Sequence, residues 1–149
     1  MDIKGILTDV VSEWIKEKTI YIGEYEDSIA ILVDNASRAY FIPKSSFIFD
    51  GKAITRDKAS VDIKRLVEKP LRMGVDGTLT NELRIYDKMQ IRKIESPEFD
   101  VWIQDKFLKR FDPRAFKFKV SGPHDLVLVY EESRLVGVLC PIRMKEQNN

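Results

Sequence analysis

Residues 114–144 have the sequence RAFKFKVSGPHDLVLVYEESRLVGVLCPIRM, and this stretch decides the fold class. Three runs rich in β-branched and aromatic residues are separated by a turn at Gly122-Pro123 and another at residues 131–133. Short runs of this composition between turn residues predict three strands of an antiparallel meander. The segment QDKFLKRF, residues 104–111, directly precedes the meander and is predicted to be a helix.

The start of the chain repeats this order of elements. Asp2 is predicted to cap a helix that runs to about Lys18 and packs on the core. Its apolar residues recur at helical spacing: Ile3, Ile6, Leu7, Val10, Val11, Trp14 and Ile15. The runs TIYIGEY, SIAILVD and RAYFIP follow, and they predict a second meander that Pro43 ends because proline cannot donate to a sheet ladder.

The two meanders share a short similarity in sequence. ILVDNASR (31–38) and VLVYEESR (127–134) align without gaps at an offset of 96 residues, with four identities in eight positions. Such a match also arises by chance between meanders, but the shared order of elements favours an internal duplication. We therefore predict one α+β domain over residues 1–149, with two pseudo-repeats of helix plus antiparallel β-meander at about 1–50 and 96–144.

The middle segment, residues 51–95, is predicted to be rich in β-hairpins. FIFDGK predicts a short strand with a turn at Asp50-Gly51, and MQIRKIE alternates like another strand before a break at residues 96–98. Residues 59–69 fit either a short helix or the start of a strand, which Pro70 is expected to end. Asp76-Gly77 is the preferred dipeptide of a tight hairpin turn and is predicted to form one.

Length and composition limit the classes of protein to which this chain can belong. The length suits a single domain, and no apolar run approaches the roughly 20 residues that a membrane span needs. Because the N-terminus does not resemble a signal peptide and Cys140 is the single cysteine, we expect a cytoplasmic protein without membrane association.

Charge is unevenly placed: residues 1–35 carry three lysines and eight acids (−5), and residues 101–120 carry six basic residues and two acids (+4). Such asymmetry can steer a partner or phosphates onto one face, or can reflect two solvated faces.

No residue pattern nominates a catalytic, metal or cofactor site. Residues 74–80, GVDGTLT, resemble the Asp-x-Asp-Gly-Thr-x-Thr motif of haloacid dehalogenase-type phosphatases. The first aspartate of that motif is the nucleophile, and this chain has Gly74 in its place. His124 is the single histidine and is expected in an exposed turn, while Cys140 is expected to be a small buried hydrophobe. We expect neither an enzyme nor a bound cofactor.

Three segments carry a resemblance to a known family. FDVWIQDKFLKRF (99–111), the meander FKFKVSGPHDLVLVYEESRLVGVLCP (116–141) and the ending CPIRM (140–144) resemble parts of the bacterial DNA sliding clamp, the beta subunit of the replicative polymerase. The clamps are built from duplicated helix-plus-meander domains, and their chains end on a Met-Pro-Met-Arg-Leu type of sequence. Bacterial clamps carry three such domains per chain and close a ring of six domains, whereas this chain has the length of one.

The resemblance implies two surfaces. Lys106, Lys109 and Arg110 lie three and four residues apart, so an α-helix would present them on one face toward the DNA backbone, with Lys64, Arg65 and Lys69 as the counterpart on another helix. The alternative is a solvated helix face. Pro141, Ile142, Arg143 and Met144 would border a cleft for client peptides; the alternative is a final edge strand.

Two functions follow as hypotheses. The first is a non-enzymatic, sliding-clamp-like processivity factor that binds double-stranded DNA without sequence preference, contacts polymerase or other replication proteins, and forms a homo-oligomer. The second is a small protein–protein interaction module, phage-derived in one version, that uses a clamp-like fold without binding DNA.

Overall fold

The computed structural model describes residues 1–47, 62–111 and 116–145. Within them, α1 spans Ile3–Ile15 and α2 spans Ile63–Met73, and short 3₁₀ helices span Lys44–Ser46 and Asp105–Arg110. The strands are β1 Tyr21–Tyr25, β2 Ser28–Val33, β3 Arg38–Pro43, β4 Val75–Tyr86, β5 Met89–Glu95, β6 Asp100–Gln104, β7 Phe116–Val120, β8 Val127–Glu131 and β9 Arg134–Leu139. Neither of these two α-helices is long and apolar enough to span a membrane.

The described strands form one antiparallel sheet in the order β1-β2-β3-β9-β8-β7-β4-β5-β6. The predicted α+β class is confirmed, and so are the two meanders, β1-β2-β3 and β7-β8-β9. Their last strands pair at the centre, where Arg38 lies opposite Leu139 and Tyr40 opposite Gly137. The order of these six strands is therefore palindromic: the first, second and third strands of one meander are followed by the third, second and first strands of the other.

The sheet curls until its far edge meets the end of β9. Residues 137–139 of β9 pair with β3. The chain then reaches β6, where Pro141 forms a bridge with Ile103 and the Ile142 N–H donates to the Trp102 carbonyl oxygen at 2.7 Å. Strand twist accumulates in one direction across a long sheet, which brings such distant strands together.

Apolar side chains pack on both faces of the central strands. One core contains residues from α1 and the 3₁₀ helix Asp105–Arg110 together with inward residues of most strands. A second core forms where Ile63 and Val67 of α2 pack on Ala30, Phe41 and neighbouring residues. Strands buried on both faces are apolar at every position rather than at alternate ones, as the runs AILV (30–33) and AYFI (39–42) show.

Helix α1 begins as predicted and buries only part of its apolar surface. The Asp2 carboxylate accepts a hydrogen bond from the Gly5 N–H at 2.9 Å, and Ile6 and Val10 are buried. The helix ends at Ile15 rather than at about Lys18. The prediction that the whole apolar stripe packs on the core is wrong for three residues that remain exposed: Val11, Trp14 and Ile15.

Two predictions for the middle segment are wrong. Pro70 lies inside α2 and does not end it. Near the end of the helix, the proline removes only one backbone N–H donor from the helical hydrogen bonds. Its ring is buried, and its carbonyl oxygen accepts a hydrogen bond from the Gly74 N–H. Asp76-Gly77 lies within β4, and the hairpin turns instead at Asp87 and Lys88, both in the left-handed region with φ of 47° and 63°.

Gly77 has a packing role in β4 rather than a turn role. A Cβ at this position would come within 2.7 Å of Ile94 Cγ2 on the neighbouring strand. Strand β5 and the break after it are confirmed. Apart from Phe47, the predicted strand FIFDGK and its turn lie outside the described residues.

Candidate partner-binding surface

The basic segment after β6 is a 3₁₀ helix rather than the predicted α-helix. With three residues per turn, Lys106 and Lys109 line up, and Arg110 is turned away from them by about a third of a turn. Both lysines are exposed, but the Arg110 side chain is only 14% exposed. The three cations predicted to share one face therefore do not share it.

Arg110 binds the acidic side of α1. Its Nε and Nη2 atoms donate to the two carboxylate oxygens of Asp9 at 2.9 and 2.7 Å, and Nη1 donates to Asp2 Oδ2 at 3.0 Å. The Arg110 guanidinium is the main cause that lowers the pKa of Asp9. Lys106 Nζ lies 3.8 Å from Asp34. The acidic start of the chain and its basic stretch thus offset each other within one molecule, and Arg110 serves the fold.

A cavity of about 340 Å³ opens beside Lys106 and Lys109. We call it the basic cavity, and its lining residues are Arg92, Asp105, Lys106, Leu108, Lys109 and Phe111. Asp105 is already held, because Arg92 Nε donates to it at 2.7 Å and Gln90 Nε2 at 3.1 Å. Leu108 and Phe111 are buried and supply apolar wall. The cavity therefore combines an apolar wall with a surplus of positive charge.

The end of β4 exposes aliphatic side chains next to this cavity. β4 pairs with β7 only through Val75–Gly77, and among the described strands it pairs with β5 alone beyond that point. Leu83 is 45% exposed and lies opposite Arg92 of the cavity, while Ile85 is 73% exposed and lies opposite Gln90. We call residues 83–86 the hairpin edge. Sequence reasoning missed it, because apolar residues alternating along a strand ordinarily indicate a core face.

The opposite face of the same hairpin is covered. Ile91 and Trp102 are buried although neither belongs to the two main cores, and the Arg84 guanidinium lies 4.6 Å from the Trp102 ring centroid. The C-terminal segment crosses there: besides the Ile142 bond to Trp102, the backbone N–H of Lys145 donates to the Tyr86 hydroxyl at 2.9 Å.

The four residues predicted to border a client cleft lie in this C-terminal segment. Pro141, Ile142 and Met144 are half-buried, and Arg143 is exposed. The segment is therefore docked along β6 and across to β4. The alternative interpretation is a final edge strand, and among the described residues the strand-like pairing of this segment is a single bridge between Pro141 and Ile103.

The remaining predicted DNA contacts lie on α2, which packs on the other core. Lys64, Arg65 and Lys69 are all exposed, and Lys69 Nζ also lies 2.8 Å from Asp125 Oδ2 and lowers the pKa of that carboxyl. A second cavity, of about 550 Å³, lies between α2 and the end of β1. Its lining mixes charges: Glu24, Tyr25, Glu26, Lys64, Glu68, Leu71 and Arg72. The six predicted DNA contacts are thus divided between the two faces of the sheet.

The other candidate residues have simple surroundings. His124 is exposed, as expected, but Cys140 is half-buried rather than buried, with Sγ 3.5 Å from the Ala36 carbonyl oxygen. Burial raises the pKa of the Cys140 thiol, so the unreactive thiol form dominates at neutral pH. The described ranges contain no group of three His, Cys, Asp or Glu residues able to hold a metal ion.

Comparison with protein-family models, with curated proteins and with solved structures found no match.

Proposed function

We propose that this protein binds a protein partner through the hairpin edge and the basic cavity. The observation that carries this proposal is the exposure of Leu83 and Ile85 beside a cavity with a surplus of positive charge. Exposed aliphatic groups that adjoin one another and are bordered by polar residues are typical of interaction sites. The hairpin offers such a surface on one face only, since the C-terminal segment covers the other.

Site-specific photo-cross-linking tests this proposal. A benzophenone amino acid replaces Ile85, and the matched control carries it at Lys117, an exposed position on β7. We expect a discrete cross-linked partner from position 85 and none from position 117 in cells that express the protein. Mass spectrometry then identifies the partner, and the purified pair must lose binding when Ile85→Asp is introduced. Cross-links that are equal at both positions would contradict the proposal.

A second candidate is the clamp-like function that the sequence resemblance implies. Two observations support it: the palindromic order of the two meanders, and the exposed cations Lys106, Lys109, Lys64 and Arg65. Cations that touch phosphates without contacting bases bind DNA regardless of sequence, and the affinity falls as salt rises. A clamp-like ring built from single-domain chains requires six copies.

Fluorescence anisotropy with a labelled DNA duplex at low salt tests this candidate. The variants are Lys106→Glu/Lys109→Glu on one face and Lys64→Glu/Arg65→Glu on the other, and Arg110 stays intact because it holds α1. Loss of binding in one pair identifies the DNA face, and light scattering measures the number of copies. A wild-type protein that binds no duplex at low salt would exclude this function.

A further inference from the structure

We infer that the partner presents an extended segment, aliphatic at alternate positions and flanked by acidic residues, which adds as a strand to the hairpin edge. This inference rests on the proposed function and specifies the chemistry of the partner. It combines three features of one surface: a strand edge, two exposed aliphatic side chains and a cationic cavity.

The strand edge provides backbone hydrogen-bonding groups. β4 is 12 residues long, and its ladder with β5 shifts register between Leu79 and Leu83. Beyond that bulge, residues 83–86 pair regularly with β5, and the described strands leave the other side of this stretch unpaired. An open edge of this kind is a template for an added strand, and main-chain hydrogen bonds then supply much of the affinity.

The side chains at the edge determine the aliphatic requirement. Side chains of an added strand alternate between the two faces, so every second one lies beside Leu83 and Ile85. Opposite positions in antiparallel strands bring side chains into contact, and β-branched or aromatic residues pack best against aliphatic neighbours. Burial of Ile85 against such residues removes from water a side chain that is largely exposed in the isolated molecule.

The cavity determines the acidic requirement. Its three cations, Arg92, Lys106 and Lys109, face one carboxylate, Asp105, which leaves two positive charges in excess. Asp105 already accepts hydrogen bonds from Arg92 and Gln90, and Lys106 Nζ lies 3.8 Å from the Asp34 carboxylate. Leu83 lies directly opposite Arg92, so a segment added at the edge lies two strands from this cation, within the range over which opposite charges attract at low salt.

A second copy of this chain fits the same edge less well. Antiparallel pairing of two hairpin edges that places Leu83 opposite Ile85 is centred on Arg84, so the two Arg84 residues would lie opposite each other in the ladder. Like charges directly opposite in a sheet are destabilising. Residues 83–86 also contain no acidic residue, so such a dimer adds no carboxylate near the cavity cations, whereas a foreign acidic segment does.

Selection from a phage-displayed library of random peptides tests the inference with the full-length protein as bait. We expect enriched peptides that alternate Val, Ile or Thr and carry Asp or Glu beside the run. A synthetic copy of the dominant peptide is then titrated by fluorescence anisotropy. Ile85→Asp and Lys106→Glu/Lys109→Glu should each weaken binding by about tenfold or more, and the charge reversal should also reduce its salt dependence. Lys117→Glu is the matched control and should stay within about twofold.

Other outcomes overturn the inference and separate it from the proposed function. Enriched peptides that are basic, or whose binding ignores Ile85→Asp, exclude the acidic strand; if cross-linking at position 85 still succeeds, the proposed function stands. If both the peptide selection and the cross-linking fail, the inference and the proposed function are both excluded. A concentration-dependent dimer that Ile85→Asp dissolves would show a second copy as the occupant. Because Ile85 is largely exposed, circular dichroism should show a folded variant.

Discussion

The centre of the sheet and its β4–β5 hairpin use the same kinds of side chain in opposite ways. At the centre, Tyr40 and Phe41 point to opposite faces and both are fully buried, one in each core. At the hairpin, Leu83 and Ile85 are exposed on one face, while Ile91 is buried on the other beneath the C-terminal segment. The difference is one of coverage: in the part of the chain that the structure describes, helices pack on both faces of the centre but not on the face of the hairpin that carries Leu83 and Ile85.

This comparison shows that apolar character alone does not determine burial. A sheet face becomes core only when another element packs on it. The hairpin extends past β7, and no helix of the described residues covers the face that carries Leu83 and Ile85 at its end, so these exposed aliphatic residues become candidates for binding.

The largest expected effect is at the centre. Phe41→Ala removes a fully buried ring that contacts Tyr25 edge-on at a centroid distance of 5.6 Å, and it should lower the free energy of unfolding by about 3–5 kcal/mol. The matched substitution at the hairpin, Ile85→Ala, should change it by less than about 0.5 kcal/mol. Urea unfolding measures both. Equal losses would contradict the contrast between the two regions.

The next largest effect concerns the contact between α1 and the 3₁₀ helix. Arg110→Met leaves Asp9 without its bidentate partner in a half-buried site and should cost about 2 kcal/mol. Lys106→Met on the exposed side of the same helix should cost less than about 0.5 kcal/mol. A double-mutant cycle with Asp9→Asn isolates the pair, and the two losses should be strongly non-additive. Additive losses would show that Arg110 acts through other contacts.

A smaller effect is the dependence of stability on acid. The pKa of Asp9 in the folded protein lies below its ordinary value of about 3.8, because Arg110 donates hydrogen bonds to the ionised form. As pH falls, the unfolded chain takes up this proton first, so the contribution is complete above the ordinary pKa and is lost as pH falls through the lowered one. Urea midpoints measured across this range should fall more steeply for the wild type than for Asp9→Asn. Parallel profiles would contradict the assignment.

The smallest effect is on the covered face of the hairpin. Arg84→Ala removes the cation from the Trp102 ring and should cost about 0.5–1 kcal/mol. In a Trp14→Phe background, Trp102 is the remaining tryptophan, so its emission reports this face directly. We expect a change in Trp102 emission with Arg84→Ala and none with Lys88→Ala, an exposed turn residue. An unchanged spectrum would mean that the guanidinium does not cover the ring in solution.

Local sequence signals predicted much of the fold. The two meanders follow from β-branched runs between turn residues, and the start of α1 follows from Asp2, which supplies an acceptor to the first turn. The same kind of local signal failed at Pro70 and Asp76-Gly77. Packing of α2 on the sheet retains the proline in a helix, and the close approach of Ile94 gives Gly77 a place in a strand.

The candidate surface could not be predicted, since its residues come from separate parts of the chain. Leu83 and Ile85 follow the alternation of a core strand, yet they are exposed because none of the described elements packs on them. Lys106, Lys109 and Arg110 were grouped on α-helical spacing, and the 3₁₀ geometry divides them. Whether any of these cations binds DNA stays a prediction.

Sequence alone determined the two meanders, the first helix cap and the separation of opposite charges, because each depends on residues close together in the chain. The tertiary structure decided that Arg110 binds Asp9 across 101 residues, that the sheet curls until β6 meets the end of β9, and that none of the described strands pairs with the hairpin edge besides β5. These features depend on which elements pack against one another, and no local pattern contains that information.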